Sequence, residues 1–311
     1  MKPEVCVIGE INPDLILYGV PDQLQPERES LIDGFRLTLG SSSAIFAHNL
    51  SVLGTKVGLI SRIGADYFGK MCQEWLAGAG VDVSHVSVIA SGTPTGLTVI
   101  LAKPEHRFIL TYLGTMSETG KADLSLDYIF SARHLHVSSY YLQKCLRPLL
   151  PDLFREAKTR GLSTSLDTND DPEDKWDSVQ SLLPHVDILF PNEREAKKIA
   201  ATADLDQAIT KLAQICRFVA VKRGAKGAVA RSGSSEWRNN GIEVASVDPV
   251  GAGDSFDAGY IHRFLQGANP EECLAYACVA GAFSTTSEGG TEAFKDRGKL
   301  EDFFRAHPTE R

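Results

Sequence analysis

A chain of 311 residues, 43% of them hydrophobic, can bury one large core or two small ones without disulfide or metal staples. Its formal net charge of −8 argues against a nucleic-acid binder, which carries a basic face, and leaves room for a pocket that is basic only locally. The six cysteines, at 6, 72, 145, 216, 273 and 278, show no CxxC spacing, so reduced thiols in a cytoplasmic protein are expected rather than a zinc site or disulfide framework.

The first apolar run, Val5-Cys6-Val7-Ile8, stops at Gly9-Glu10; it is too short for a signal peptide and is expected to form a strand over 5–9. Residues 42–53 place Ala44, Ala47, Leu50 and Leu53 at helical spacing and end at Gly54. A strand over 56–63 and a helix over 67–79, stopped near Gly80, follow. Later come short apolar runs at 134–137, 162–167, 186–190 and 218–222, with helical patterns at 151–160, 194–201 and 205–216. Such βα alternation predicts an α/β chain with a central, mainly parallel sheet flanked by helices on both faces, and ligands at the carboxyl edge of the strands.

Two regions break the alternation. Strand-like stretches at 15–20, 34–39, 96–102 and 107–112 have no helix between the members of each pair, and Pro104-Glu105-His106 reads as a hairpin turn. They are expected to form a small antiparallel β lid, inserted at about 12–39 and 92–114 of one domain spanning 1–311. The alternative is that they are edge strands of the core sheet. No stretch approaches the roughly 20 apolar residues of a membrane span.

The chemistry is concentrated in Asp248-Pro-Val-Gly-Ala-Gly-Asp-Ser-Phe-Asp-Ala-Gly259. Gly251, Ala252 and Gly253 precede a helical run over 255–265, so bare backbone N–H groups at a helix start offer an anion site. Asp254 falls in the first turn, where the helix dipole favours the carboxylate, and is expected to be ionised and ready to accept a proton. A base beside an anion hole suits phosphoryl transfer to a hydroxyl. An isolated GxGD is only a tight turn with a cap; the twelve-residue string is far more specific.

That string resembles the signature D-T-x-G-A-G-D-x-F-x-A-G of the phosphofructokinase-B/ribokinase family of carbohydrate kinases, departing only at Pro249. The resemblance covers essentially the whole chain and implies a ribokinase-like fold that uses ATP and Mg2+. Asn192-Glu-Arg-Glu195 resembles the family's N-x-x-E motif; residues at i and i+3 share a helix face, so Asn192 and Glu195 can hold magnesium through its water shell. Lys222-Arg-Gly224-Ala-Lys-Gly227 resembles the nucleotide loop, and the helix over 277–282, with Gly281, the adenine side. The resemblance also places a monovalent cation such as K+ beside the anion hole, on Asp248 and Val250.

On the acceptor side, Gly9-Glu-Ile-Asn12-Pro-Asp14 resembles the family's first strand and turn, whose Asp binds sugar hydroxyls. Gly40-Ser41 stands where the family has paired glycines, and Ile45 where it has an Asn that touches substrate. Asn169 belongs to a loop resembling D-P-N. Arg107, with Lys103, is a candidate contact for an acceptor carboxylate or phosphate, or else a solvated lid face. The acceptor is therefore open among a sugar, a sugar acid such as 2-keto-3-deoxygluconate, and a nucleoside; no basic cluster for a second phosphate is evident along the chain.

The family's lids pair between subunits, so a homodimer through the lid is expected, with no nucleic-acid or membrane partner. A non-catalytic sugar or nucleotide sensor is the reading of another class, disfavoured by retention of Asp254. A nicotinamide dehydrogenase fails because no G-x-G-x-x-G follows the first strand. The eight histidines have no metal-ligand spacing.

Overall fold

A strand that is apolar on both faces is satisfied only between two layers of helices. In the computed structural model, which describes residues 2–90, 92–103 and 106–309, this constraint organises the chain. In order, the strands are β1 (Val5–Ile8), β2 (Pro13–Tyr18), β3 (Gly34–Leu39), β4 (Val57–Gly64), β5 (Asp82–Ile89), β6 (Leu97–Ala102), β7 (Arg107–Tyr112), β8 (His134–Val137), β9 (Ser163–Leu166), β10 (Ile188–Leu189), β11 (Phe218–Lys222), β12 (Ala228–Ser232) and β13 (Ser235–Asn239). The α-helices are α1 (Ser42–Val52), α2 (Tyr67–Gly78), α3 (Leu126–Ser131), α4 (Leu150–Thr159), α5 (Glu193–Ile199), α6 (Leu205–Ala213), α7 (Ala252–Leu265), α8 (Pro270–Ser284) and α9 (Arg297–Ala306).

Nine strands form the core sheet in the order β13-β12-β11-β10-β9-β8-β1-β4-β5. From β11 to β5 the pairings are parallel, and β12 and β13 add an antiparallel edge. The two faces of β1 show why the layers form. Cys6 and Ile8 pack into a cluster with Leu153 and Phe154 of α4 and Leu212 of α6. Val5 and Val7 pack on the opposite side with Phe46 of α1, Leu76 of α2, and Tyr260 and Ile261 of α7. Each such side chain, fully buried, contributes about 1.5–3 kcal/mol.

The carboxyl ends of β1, β8, β9, β10 and β11 lie side by side in this order, so the segments after them share one edge. Helix α7 reaches that edge packed closely on α8. A Cβ on Gly259 would lie 2.8 Å from the Cβ of Ala280, so the last glycine of the signature string permits this approach.

The lid is a separate sheet of order β3-β2-β6-β7, and the edge-strand alternative does not hold. Its two hairpins are antiparallel, β2 with β3 and β6 with β7, while β2 and β6 join them in parallel. That parallel pairing follows from connectivity: the chain crosses the core through α1, β4, α2 and β5 between the hairpins. Of the anticipated turn between β6 and β7, Pro104 and Glu105 lie outside the described residues. No described helix is long and apolar enough to cross a membrane.

Candidate active site

A cavity of about 1240 Å3 lies between the lid and the carboxyl edge of the core sheet. It exceeds the roughly 300–1,000 Å3 of a single-ligand pocket, a size suited to two ligands side by side. Asn12, Asp14, Ser41, Arg107, Asn169, Asn192, Glu195, Lys222, Gly224 and the run from Val250 to Asp254 all face it. Gly40, Gly227, Asp248 and Gly281 do not, and each has a different task.

The floor is the start of α7. Gly251 has φ +74° and a Cβ there would fall 2.4 Å from the Cα of Gly290, so the turn needs glycine for both its dihedral and its contact. No side chain caps this helix, which leaves first-turn amides, including those of Gly253 and Asp254, without intrahelical acceptors and directed to the cavity end. Gly281 sits against the carbonyl of Ala252, at 3.1 Å from where its Cβ would be, and so supports the turn from behind.

Asp254 departs from its sequence expectation. Burial, then the charge of Asp167, raises its carboxyl to about 7, while a hydrogen bond from Ser42 Oγ to Oδ1 and the charge of Lys222 pull the other way. The dipole of α7, worth about 0.3–1 kcal/mol, does not decide its charge. Among the described residues Oδ2 accepts no hydrogen bond, leaving it for an incoming hydroxyl. A base with a pKa near neutrality is well matched to general-base work.

Asp14 faces the same space and is also raised to about 7, by burial first and then by Asp254. Its Oδ1 accepts from Asn12 Nδ2 at 3.2 Å, and Asn12 also donates to Thr98 Oγ1 at 3.1 Å. Gly40 makes room for this carboxylate, because a Cβ would lie 1.9 Å from Oδ1. Ser41 keeps a φ of +69° at the position of the family's second glycine, donates to the Glu10 carbonyl at 2.5 Å, and caps α1. Ile45 is buried against Gly290 and gives the acceptor side an apolar patch.

Lys222 is not a loose phosphate ligand. Its Nζ lies 2.7 Å from Asp167 Oδ2 and 3.2 Å from Asp257 Oδ2, beneath Gly253. Burial alone would lower its pKa, but Asp167, Asp257 and Glu195 outweigh that and hold it charged. Burial drives Asp257 well above the ordinary carboxylate range, against the pull of Lys222. Asn192 and Glu195 form a reciprocal capping box at the start of α5, with Asn192 N–H donating to Glu195 Oε2 at 2.8 Å and Glu195 N–H to Asn192 Oδ1 at 2.9 Å. Burial, then Asp167, raises Glu195 to about 7. Both still face the cavity, and an outer-sphere role toward hydrated magnesium fits this geometry. Gly224, at φ +59°, lines the cavity; Gly227 closes the turn, where a Cβ would lie 2.0 Å from the Asn239 carbonyl.

Asp248 is occupied. Its carboxylate accepts from Val250 N–H at 2.9 Å, Gly289 N–H at 3.0 Å and Tyr18 OH at 3.3 Å, so it pins the lid and two loops together. Three donors already surround the Asp248 carboxylate, so these contacts do not by themselves support the monovalent cation expected there with Val250.

Sequence reading missed Glu10, Ser42 and Ser139. Glu10 is buried and accepts from Ser43 Oγ at 2.8 Å, Ser139 Oγ at 2.7 Å and Gln143 Nε2 at 2.6 Å. Its only signal was an acidic residue at the end of an apolar strand. Asn169, at φ +52°, accepts from Ser139 N–H at 2.8 Å and thereby joins the loops after β8 and β9. The buried His134 and His136 of β8 make three hydrogen bonds of 2.7 Å with Ser163 and Ser165 of β9, and His136 makes a fourth with Ser138 just after β8.

The family model described as pfkB family carbohydrate kinase matches residues 2–297. An ATP-dependent ribose-1-phosphate kinase of Halopiger xanaduensis is 29% identical over 93% of this chain and 94% of its own. A 2-dehydro-3-deoxygluconokinase of Thermoproteus tenax is 28% identical over 88% of this chain and 87% of its own. A crystal structure of a putative ribokinase II from E. coli in complex with ATP and Mg2+ shares the fold, with a TM-score of 0.85, 24% identity, and coverage of 98% of this chain and 100% of that one.

Replacing Lys222 by Met leaves the buried carboxyl groups of Asp167 and Asp257 without their cation, so a loss of about 3–5 kcal/mol is expected in urea unfolding at neutral pH. Stability within 1 kcal/mol of the parent at neutral pH counts against this role. The Ser42→Ala variant loses the donor that lowers the Asp254 pKa. The acidic limb of its kcat/KM profile, which rises with pH as Asp254 deprotonates, is expected to move upward by roughly one pH unit with full recovery at alkaline pH. A uniform loss at every pH instead makes Ser42 merely structural.

Proposed function

The chain belongs to the pfkB family of carbohydrate kinases and is thus an ATP-dependent kinase with an alcohol acceptor, and on that footing we propose that Asp254 is the base that activates the acceptor hydroxyl. The observation carrying this reading is the meeting of three features in one cavity. They are a near-neutral carboxyl with a free oxygen, the uncapped start of α7, and the second carboxyl Asp14 facing it.

In this reading Asp14 and Asn12 orient the acceptor so that one hydroxyl approaches Asp254. As that oxygen bonds to the γ-phosphorus of ATP, its proton passes to Asp254, and the bond to the leaving ADP oxygen breaks in line. The amides at the start of α7 stabilise charge on the transferred phosphoryl oxygens. Magnesium, when bound with the nucleotide, neutralises phosphate charge; Asn192 and Glu195 are the residues that would hold it through its water. The glycine turn at Gly224 lets the nucleotide approach backbone. The acceptor is a small sugar-like molecule, with a sugar acid or a nucleoside as alternatives.

We also propose a homodimer through the lid. Two cross-strand rows, Phe35-Leu17-Leu101-Phe108 and Leu37-Leu15-Val99-Leu110, share its outer face. Phe35 is 69% exposed and Leu110 59% exposed, and β7 is an unpaired sheet edge. An apolar face bounded by an open edge calls for a partner sheet.

Asp254→Asn is expected to lower kcat by roughly 10²–10⁴ with little change in ATP affinity, measured by coupled ADP release and calorimetry. An unaltered rate sinks the base assignment. Sedimentation velocity is expected to give a dimer, and Phe108→Asp with Leu110→Asp a folded monomer by circular dichroism; a dimer surviving both changes removes the lid from the interface.

A further inference from the structure

Six cationic side chains face the cavity, and three are already committed. Lys222 holds Asp167 and Asp257, Lys175 pairs with Glu173 at 2.5 Å, and Arg194 pairs with Asp170 and Asp174. The other three, Arg107, Lys144 and Arg147, have no ion pair and donate no side-chain hydrogen bond among the described residues. Arg107 is on the cavity-facing row of β7 with Ile109 and Thr111, and its charge is felt by Asp14. Lys144 and Arg147 come from the segment after β8.

That segment is fixed to the acceptor half. Gln143 Nε2 donates to Glu10 Oε2 at 2.6 Å, Cys145 N–H donates to the Ser117 carbonyl at 3.3 Å near the foot of β7, and Arg147 N–H donates to the Gln143 carbonyl at 2.7 Å. The guanidinium of Arg147 lies 5.8 Å from the Tyr140 ring centroid, which orients it without neutralising it. The acids nearby do not claim these cations. Asp171 is spent on the amides of Glu173, Lys175 and Trp176, and the exposed Asp177 pairs with none of the three.

Unpaired cations from two separate elements that line the same cavity offer contacts for an oxyanion, with Arg suited to bidentate contact. We propose that the acceptor carries an oxyanion, a phosphate monoester or a carboxylate, away from the hydroxyl that is phosphorylated, and that Arg107, Lys144 and Arg147 select it. This rests on the kinase reading above and names the acceptor's chemical class.

The test compares matched acceptors: ribose with ribose 1-phosphate and ribose 5-phosphate, and glucose with gluconate and 2-keto-3-deoxygluconate. Binding is measured by calorimetry with a non-hydrolysable ATP analogue and Mg2+, and turnover by ADP release, for the parent, Arg107→Gln, Arg147→Gln and Asp254→Asn. At least one charged acceptor is expected to exceed its neutral counterpart by 100-fold or more in kcat/KM; the phosphate and carboxylate arms then tell which oxyanion is used. Each Arg variant is expected to raise KM for that acceptor 10-fold or more, with the KM for ATP unchanged, and Arg→Lys to recover part of the loss.

A neutral sugar used as well as its charged partner overturns the proposal. So does charged-acceptor kcat/KM within twofold of the parent in both Arg variants, or no binding by any charged member. Failure of the base reading looks different: Asp254→Asn keeps its turnover while the preference for charged acceptors persists.

Discussion

Four carboxyl groups, those of Asp167, Glu195, Asp254 and Asp257, converge under the cavity, and the ammonium of Lys222 is the cation that interacts with all of them. Burying a charge is tolerable only when it is paired, and removing one partner leaves the rest uncompensated. Lys222 arrives at the end of β11, Asp167 follows β9, Glu195 starts α5, and Asp254 and Asp257 share one face of α7. A single ammonium therefore ties two strand ends and two helix starts to one geometry. It also bears on Asp254: burial, then Asp167, raises that carboxyl to about 7, while the hydrogen bond from Ser42 and the charge of Lys222 pull the other way.

The parts of this arrangement that were legible in the sequence are those made by consecutive residues. The glycine turn, Asp254 in the first helical turn and the asparagine–glutamate pair lie within short windows, and their local geometry follows from helix-start rules. The charge state of Asp254 did not follow from them. Raising its carboxyl from 3.8 to about 7 corresponds to about 4 kcal/mol, several times what a helix dipole offers, and it comes from burial and from Asp167, 87 positions earlier. That Arg107, Lys144 and Arg147 face one cavity was invisible for the same reason: a lid hairpin and the segment after β8 come to line it only once the sheets assemble.

The lid illustrates how period two carries two messages at once. Inward, the register stacks Asp14, Thr98 and Thr111, then Ile16, Ile100 and Ile109. Outward, it stacks the apolar rows, of which Phe35, Phe108 and Leu110 are exposed. A one-residue slip exchanges the faces, putting leucines against the cavity and Asp14 in solvent. The hydrogen bond from Tyr18 to Asp248, and the packing of Ile16 and Ile100 on Val250, oppose that slip by tying the lid to the loop before α7.

These constraints divide the cavity by how freely its residues can change. The transfer half is built from backbone: glycines at 251 and 290 touch through their Cα atoms, Gly259 lets α8 support α7, and the acid cluster is buried around one lysine. A side chain added to either contact must displace the main chain, so substitutions there change the fold before they change the chemistry. The lid side is built from side-chain tips: Ile45 on α1, Arg107 on an exposed strand, Lys144 on a turn and Arg147 at the start of a 3-10 helix. Their replacement alters charge and shape in the cavity without moving a core element. This is the physical reason that the signature around Asp254 is nearly intact while Ser41 and Ile45 depart from it, and that relatives named for such different acceptors share one frame.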